Sequence, residues 1–177
     1  MILKADTFVD ELVDMNLNFD GYIPFCVKFH GHESCSKLYW RVGDGVKNML
    51  EISVHPEGRM LSSITLVNIN KNSIFEAKNS SEEILESSSN IPVFCLDIWK
   101  NDGYFSDRFC DNFDLAVKVF LSHNSIMVKI GVPEGRVNFV RYSNRFYLGL
   151  MPDKSISTIF FKDLSSKEIE TFLSCVS

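Results

Sequence analysis

The chain has 177 residues, 45% hydrophobic side chains and a formal net charge of −5. This composition is typical of a globular protein with a packed core and excludes a disordered chain. The longest apolar runs, of four or five residues, are too short to cross a bilayer, and the N-terminus meets Asp6 too early for a signal peptide. We therefore expect a cytoplasmic protein with no membrane partner.

The first predicted element is a short helix over residues 6–15, with Asp6 as its N-cap and an apolar stripe at helical spacing. Four strands follow, in which alternating side chains mark one apolar face. The clearest alternation puts Leu50, Ile52 and Val54 on one face and polar side chains on the other. The predicted strands cover 22–31, 38–42, 48–54 and 61–69.

The tetrapeptide Pro-Glu-Gly-Arg occurs twice, at 56–59 and 133–136. Pro suits the second position of a turn and Gly accepts a positive φ, so each copy is predicted to close a β-hairpin. We expect Gly58 and Gly135 to have positive φ. The two hairpins would lie 77 residues apart, which raises the alternative of a duplicated β-lobe.

Residues 70–91 interrupt the strand pattern with Ser, Asn and Glu and form the candidate boundary between two lobes. A short helix capped by Ser81 is an alternative for part of this stretch. Further strands are predicted from residue 93 to residue 164. A closing helix over 165–174 has Ser165 and Glu168 at capping-box spacing.

This order of elements predicts an α+β fold in a single domain over 1–177. Its sheet is mostly antiparallel, with short N- and C-terminal helices, and two similar β-lobes are the alternative arrangement. The 15 Phe residues agree with a fold rich in strands, because aromatic side chains favour half-buried pleated surfaces.

Sequence motifs of common enzyme classes are missing: no G-x-S-x-G, P-loop or G-x-G-x-x-G occurs. His30, His32 and Cys35 have the side-chain types of zinc ligands, but no second ligand cluster accompanies them. We predict no catalytic residue, no cofactor and no metal site. The five Cys, which are widely spaced, are interpreted as buried free thiols.

Charge is unevenly distributed along the chain. Residues 76–117 carry a net −6, and residues 118–162 carry a net +5. Basic and aromatic side chains in the second range have the composition of a single-strand nucleic-acid surface. The overall charge of −5 argues against this use, so we interpret them as an ordinary strand face and predict no direct nucleic-acid partner.

Residues 97–114, the acidic-aromatic segment, interleave five Asp with five aromatic side chains. One interpretation is a loop whose aromatic rings pack on the core while its acids stay in water. The other is a binding surface, in which aromatic anchors give affinity and carboxylates steer a basic partner. We predict that the partner-binding residues are Asp97, Trp99, Asp102, Tyr104, Phe105, Asp107 and Asp111, together with Glu82 and Glu83 from the neighbouring acidic stretch.

Two stretches, LYWRVGD at 38–44 and LEISVHPEGRMLSSITLV at 50–67, resemble small bacterial immunity proteins of polymorphic toxin systems, of the kind found beside contact-dependent growth inhibition toxins. The resemblance covers residues 1–70 and continues beyond them by layout alone. It implies a cytosolic, non-enzymatic protein that neutralises a cognate toxin, often a nuclease, by covering its active site or another surface. It assigns no interface residue.

A small acidic protein also has the charge expected of an inhibitor of a basic nuclease, because carboxylates can occupy a groove that otherwise takes phosphates. The sequence therefore predicts an antitoxin that binds a basic toxin domain. Two alternatives stay open: an adaptor or structural β-module that binds another protein, and a hydrolase with an unrecognised site.

Overall fold

The computed structural model describes residues 1–30, 36–77, 87–101, 104–105, 108–133 and 135–177, with the backbone alone for 87, 101, 104 and 105. The strands in the first half are β1 (Ala5–Val9), β2 (Met15–Asn18), β3 (Phe25–Phe29), β4 (Leu38–Gly43), β5 (Met49–Val54), β6 (Leu61–Asn68), β7 (Ile74–Glu76) and β8 (Ser87–Ser88).

The strands in the second half are β9 (Ile91–Phe94), β10 (Lys100–Asn101), β11 (Tyr104–Phe105), β12 (Phe109–Asn112), β13 (Val117–Leu121), β14 (Ile126–Ile130), β15 (Asn138–Arg141), β16 (Phe146–Leu150) and β17 (Ile156–Phe161). Helix α1 covers Ser166–Ser174, and short 3-10 helices cover Lys71–Ser73 and Asp97–Trp99.

Most of these strands form two large sheets. The first sheet has the order β12-β4-β5-β6-β3-β2, and the second has the order β7-β13-β14-β17-β16-β15-β8. Neighbouring strands are antiparallel, except that the edge strands β7, β8 and β12 join their sheets in parallel. The predicted mostly antiparallel sheet is therefore confirmed.

The two sheets pack face to face through aromatic side chains. Phe25 of the first sheet meets Phe161 of the second edge-on, with ring centroids 4.8 Å apart, and Phe29 lies 5.8 Å from Phe146. The predicted alternation in β5 is confirmed, since Leu50, Ile52 and Val54 all point into this interior. One cluster of buried side chains extends through both sheets, so the two sheets share a core.

An antiparallel ribbon of β1 and β9 connects the two sheets. The N–H of Ala5 in β1 donates to the carbonyl of Lys154, in the turn before β17, at 2.9 Å. The N–H of Phe94 in β9 donates to the carbonyl of Arg59, in the turn before β6, at 2.7 Å. Each strand of the ribbon thus holds one turn of a different sheet.

The ion pair of Lys4 and Asp153 strengthens one of these attachments. The Lys4 ammonium and the Ser155 hydroxyl and N–H all donate to the Asp153 carboxylate, and they lower its pKa from the ordinary 3.8 to about 2. Because the pKa is lower in the folded state, this stabilisation is present above pH 3.8 and is lost as the pH falls through about 2.

We therefore expect Asp153→Asn to lower the Tm near neutral pH, and we expect the difference from the wild type to shrink between pH 4 and pH 2, the window between the ordinary and the folded pKa. Thermal unfolding followed by circular dichroism at several pH values measures this. A difference in Tm that stays constant down to pH 2 would contradict the assignment.

The predicted N-terminal helix over residues 6–15 is wrong. These residues form β1, a connection and the start of β2, and Leu12, which the helix would have buried, is fully exposed. A helix this short gains little from its own hydrogen bonds. Pairing of β1 with β9, far away in the sequence, satisfies the same backbone groups and decides the local structure.

The first Pro-Glu-Gly-Arg copy closes the hairpin between β5 and β6, as predicted. The left-handed residue is, however, Arg59 with φ 55°, and not Gly58. A left-handed conformation costs a non-glycine residue about 1 kcal/mol. The contacts of Arg59 offset this cost, because its carbonyl holds Phe94 and its guanidinium lies 3.0 Å from Asp6.

The second copy does not close a hairpin, so that prediction is wrong. It lies between β14 and β15, and β17 and β16 separate these two strands in the second sheet. Gly135 has the expected positive φ of 111°. Gly135 therefore lies at a local bend, while the apolar faces of the strands decide which strands pair.

Helix α1 confirms the predicted closing helix and its capping box. The Ser165 hydroxyl accepts from the Glu168 N–H at 3.3 Å, and the Glu168 carboxylate accepts from the Ser165 N–H at 2.8 Å. Ile169 and Phe172 are buried against the core, whereas Leu173 is 45% exposed. Arg145 donates twice to Glu168 and attaches the helix start to the second sheet.

Gly149 in β16 occupies a site with no room for a side chain. A Cβ there would lie 2.6 Å from Val137 Cγ1 and 2.7 Å from Thr158 Cβ. We expect Gly149→Ala to lower the free energy of unfolding by about 1–3 kcal/mol, because the neighbours must move apart. Urea unfolding measures the loss. Adding Val137→Ala should recover part of it, and an additive double variant would contradict the steric explanation.

Candidate functional site

The described parts of the acidic-aromatic segment, 97–101, 104–105 and 108–114, contain strands that pair within the segment and with the first sheet. Its 3-10 helix is followed by β10, which pairs with β11, and then by β12, which joins the edge of the first sheet beside β4. In this parallel register Phe109 lies opposite Tyr39, and Asp111 lies opposite Arg41. The part of the segment expected to be irregular therefore includes an edge strand that presents alternating side chains.

Two indole groups attach this segment to the sheet. The Trp40 indole donates to the Asn112 side chain at 3.0 Å, and the Trp99 indole donates to the Tyr39 carbonyl at 3.0 Å. Trp99 is 3% exposed, so a partner cannot reach its ring. The prediction that Trp99 binds the partner is therefore corrected. Its ring packs in the core, because burying a large aromatic side chain stabilises the fold more than leaving it in solvent.

The outward side of β12 and β4 carries a compact aromatic and charged cluster. The rings of Phe109 and Tyr39 stack with centroids 5.0 Å apart, and the Arg41 guanidinium lies 4.4 Å from the Phe109 centroid. Arg41 also donates twice to Asp111, at 2.7 and 2.8 Å. We call Tyr39, Arg41, Glu51, Phe109 and Asp111 the β12 face; Glu51 lies opposite Arg41 on β5.

Charges on this surface differ in their surroundings. Burial raises the pKa of Glu51, and the nearby Arg41 charge opposes that shift. Asp97 stands apart with a side chain 73% exposed. The Cys95 thiol and the Lys100 ammonium both donate to Asp97 and lower its pKa. Asp97 is therefore an anion that faces solvent, as a residue that attracts a basic partner must be.

The structure describes only some of the other predicted partner-binding residues. Asp111 is exposed on the β12 face. Tyr104 and Phe105 form β11, of which the backbone alone is described. Four acids lie outside the described residues: Asp102, Asp107, Glu82 and Glu83.

Sequence reasoning missed Tyr39, Arg41 and Glu51 as members of this surface. The alternation in LYWRV already places Tyr39 and Arg41 on one strand face, opposite Trp40. Nothing in the sequence pairs that strand with residues about 70 positions further on, so their contact with Phe109 and Asp111 was not predictable.

Candidate residues for other functions lie elsewhere. Of the possible zinc ligands, His30 is exposed, while His32 and Cys35 are outside the described residues. Within the described ranges, no group of three His, Cys, Asp or Glu side chains is close enough to hold a metal ion. The described cysteines are free thiols of intermediate exposure: Cys26, Cys95, Cys110 and Cys175.

The basic and aromatic residues of the second half do not form one open surface. Phe146 and Tyr147 are buried, and the Arg145 guanidinium is engaged with Glu168. Arg141 is exposed at the end of β15. These side chains therefore lack the exposed aromatic rings on which bases of a single strand would stack.

Helices long and apolar enough to cross a membrane are not found in the described part of the chain.

Comparison with known proteins gives one informative relative. No protein-family model matches the chain. The immunity protein CdiI-1 of Escherichia coli O157:H7 (strain EC869) is 31% identical to it over 72 residues. The matched stretch covers 41% of this chain and 84% of the relative. Because nearly the whole relative is matched at this identity, the chain belongs to the family of the immunity protein CdiI-1.

Proposed function

We propose that this protein is a non-enzymatic immunity protein of the cytoplasm that binds a cognate toxin domain and neutralises it. The observation that carries the proposal is the relation to immunity protein CdiI-1 over 84% of that relative. An immunity protein needs a rigid surface that fits one partner, and the β12 face supplies side chains of the types that dominate such surfaces, Arg, Tyr and Phe.

The proposed partner is a basic toxin domain, a nuclease whose active-site or substrate-binding surface is covered. A nuclease attracts the phosphates of its substrate with Lys and Arg. Asp97 and Asp111 offer carboxylate oxygens to the same groups, and charge-assisted hydrogen bonds of this kind are short and strong. Asp102 and Asp107, in the same segment, add to the charge that steers the toxin.

The proposed anchors are the rings of the β12 face. Phe109 is 43% exposed, yet it is held by Tyr39 on one side and by the Arg41 guanidinium. A ring fixed before binding loses little side-chain entropy when a partner covers it. The Arg41–Asp111 pair holds the charged groups in place in the same way. Tyr104 and Phe105, from β11, are proposed as further contacts.

Co-expression tests the proposal. Candidate toxin domains encoded by genes next to that of this protein are expressed in a sensitive strain, with and without the protein. We expect growth to be restored for the cognate toxin alone, and we expect the two purified proteins to co-elute and the toxin to lose nuclease activity. A toxin domain that stays active and elutes separately at micromolar concentration would overturn the proposal.

A further inference from the structure

The central strands of the two sheets share one order. In the first sheet it is β4-β5-β6-β3-β2, and in the second it is β15-β16-β17-β14-β13. If the five strands of each set are numbered along the chain, both orders are 3-4-5-2-1, with every neighbouring pair antiparallel. Each half thus contains the same hairpins and the same crossover between its second and third strands.

The register extends this match to individual side chains. On β4, Tyr39 and Arg41 face outward, and on β15 Phe139 and Arg141 hold the same two positions. Arg41 lies opposite the third residue of β5, and Arg141 lies opposite the second residue of β16, on the same outward side. The two strands therefore carry the same aromatic-x-Arg pattern at corresponding places.

The contacts that the ribbon of β1 and β9 makes with one half repeat in the other half with the two strands exchanged. Arg59 and Lys154 each lie two residues before the fifth strand of their set, β6 or β17. Both residues are left-handed, with φ 55° and 64°. The carbonyl of Arg59 accepts from Phe94 in β9, and that of Lys154 accepts from Ala5 in β1. Ala5 and Phe94 are themselves partners in the ribbon.

This exchange identifies the true counterpart of the first Pro-Glu-Gly-Arg turn. It is Pro152-Asp153-Lys154, which has the same Pro, acid and left-handed basic residue with one residue fewer. The second Pro-Glu-Gly-Arg lies in the crossover between β14 and β15, whose counterpart is the connection between β3 and β4. The identical tetrapeptides therefore do not mark equivalent positions.

The length of the relative gives an independent observation. Its matched 72 residues are 84% of its chain, so immunity protein CdiI-1 has about 86 residues, close to half of this chain. A protein of that length has room for one set of five strands. One such sheet alone would leave an apolar face in water, as Phe25 and Phe29 would be without Phe161 and Phe146.

We propose that residues 1–77 and 87–177 are two copies of one β-unit, and that this chain holds in one polypeptide the arrangement that its half-length relative forms from two chains. In the relative, the apolar inner face of the sheet is covered by the sheet of a second chain. The boundary lies between Glu76 and Ser87, within the stretch 70–91 where the sequence pattern weakens. In the relative, the first strands of two copies pair as β1 pairs with β9.

Light scattering on both full-length proteins over a range of concentrations tests this. We expect this chain to have the mass of one chain, since its sheet faces cover each other. We expect immunity protein CdiI-1 to have the mass of two chains, which closely matches the mass of this one. The proposal would be overturned if the relative had the mass of one chain at all concentrations, or if this protein had the mass of two chains.

A cross-link in the relative distinguishes this dimer from others. A single Cys placed in its first strand should form an interchain disulfide under mild oxidation, because the proposed twofold brings two first strands together. A Cys in its last strand, at the centre of the sheet, is the control and should stay reduced. A dimer that forms no first-strand cross-link would contradict the arrangement. Neither result depends on toxin binding, so both can fail while the proposed function stands.

Discussion

Replacing Phe161 by Ala is expected to lower the free energy of unfolding by about 3–5 kcal/mol. Phe161 has no exposed surface, and its ring touches three others, at centroid distances of 4.8 Å to Phe25, 5.2 Å to Phe146 and 6.4 Å to Phe19. Because the contact with Phe25 joins the two sheets, the cavity would open at the centre of the shared core, where the surrounding strands can relax least.

Urea unfolding of the wild type and two variants measures this effect. Tyr22→Ala is the matched control, since it also removes an aromatic ring, but one that is 91% exposed. We expect that control to change the free energy of unfolding by no more than about 0.5 kcal/mol. Equal losses for Phe161→Ala and Tyr22→Ala would show that the two sheets do not share one core.

The second large effect concerns toxin affinity. If Phe109 is an anchor of the proposed interface, Phe109→Ala should weaken binding by about 2 kcal/mol, roughly 30-fold in Kd, mainly through a faster off-rate. Leu173→Ala is its control, because that side chain is similarly exposed, at 45%, but lies on α1. Surface plasmon resonance with the cognate toxin domain measures both rates, and an unchanged Tm confirms that the variant is folded.

Charge steering is tested separately with Asp97→Lys. A reversed charge at this exposed position should slow association more than it speeds dissociation. The effect should fade as salt rises, because the Debye length shrinks from about 10 Å at 0.1 M to about 3 Å at 1 M. Glu170→Lys, on α1, makes the same change in net charge away from the site. Equal effects of the two reversals would mean that net charge alone, and not this position, guides the toxin.

The strands of this fold were predictable where one face is buried and the other is polar. β5 shows this, since Leu50, Ile52 and Val54 alternate with less apolar residues. Helix α1 was predictable because its capping box and its apolar residues are both local signals. Both kinds of signal come from neighbours in the sequence, which is why the sequence alone is sufficient for them.

Features that depend on distant pairing were not predictable. The stripe from Phe8 to Val13 fits a helix, but the partner of β1 is about 85 residues away, in β9. The repeated Pro-Glu-Gly-Arg has the same turn chemistry at both places, yet strand order makes a hairpin of one and a crossover of the other. Local chemistry fixes a bend, and tertiary packing decides what the bend connects.

The candidate site shows the same division. Composition marked residues 97–114 as an unusual segment, and Asp97, Phe109 and Asp111 within it are exposed. Exposure of a given aromatic ring does not follow from composition, and Trp99 is buried while Phe109 is half exposed. The part played by Arg41 depends on the parallel pairing of β12 with β4, which no local pattern in the sequence indicates.

A structure of the complex between this protein and its cognate toxin domain is the most direct test of the proposed function. We predict that the toxin covers Asp97, Phe109 and Asp111, buries at least about 1,000 Å² in total, and places Lys or Arg side chains against the two carboxylates. An interface of that size on another surface, with residues 97–114 and the β12 face left in solvent, would contradict the proposed toxin-binding site.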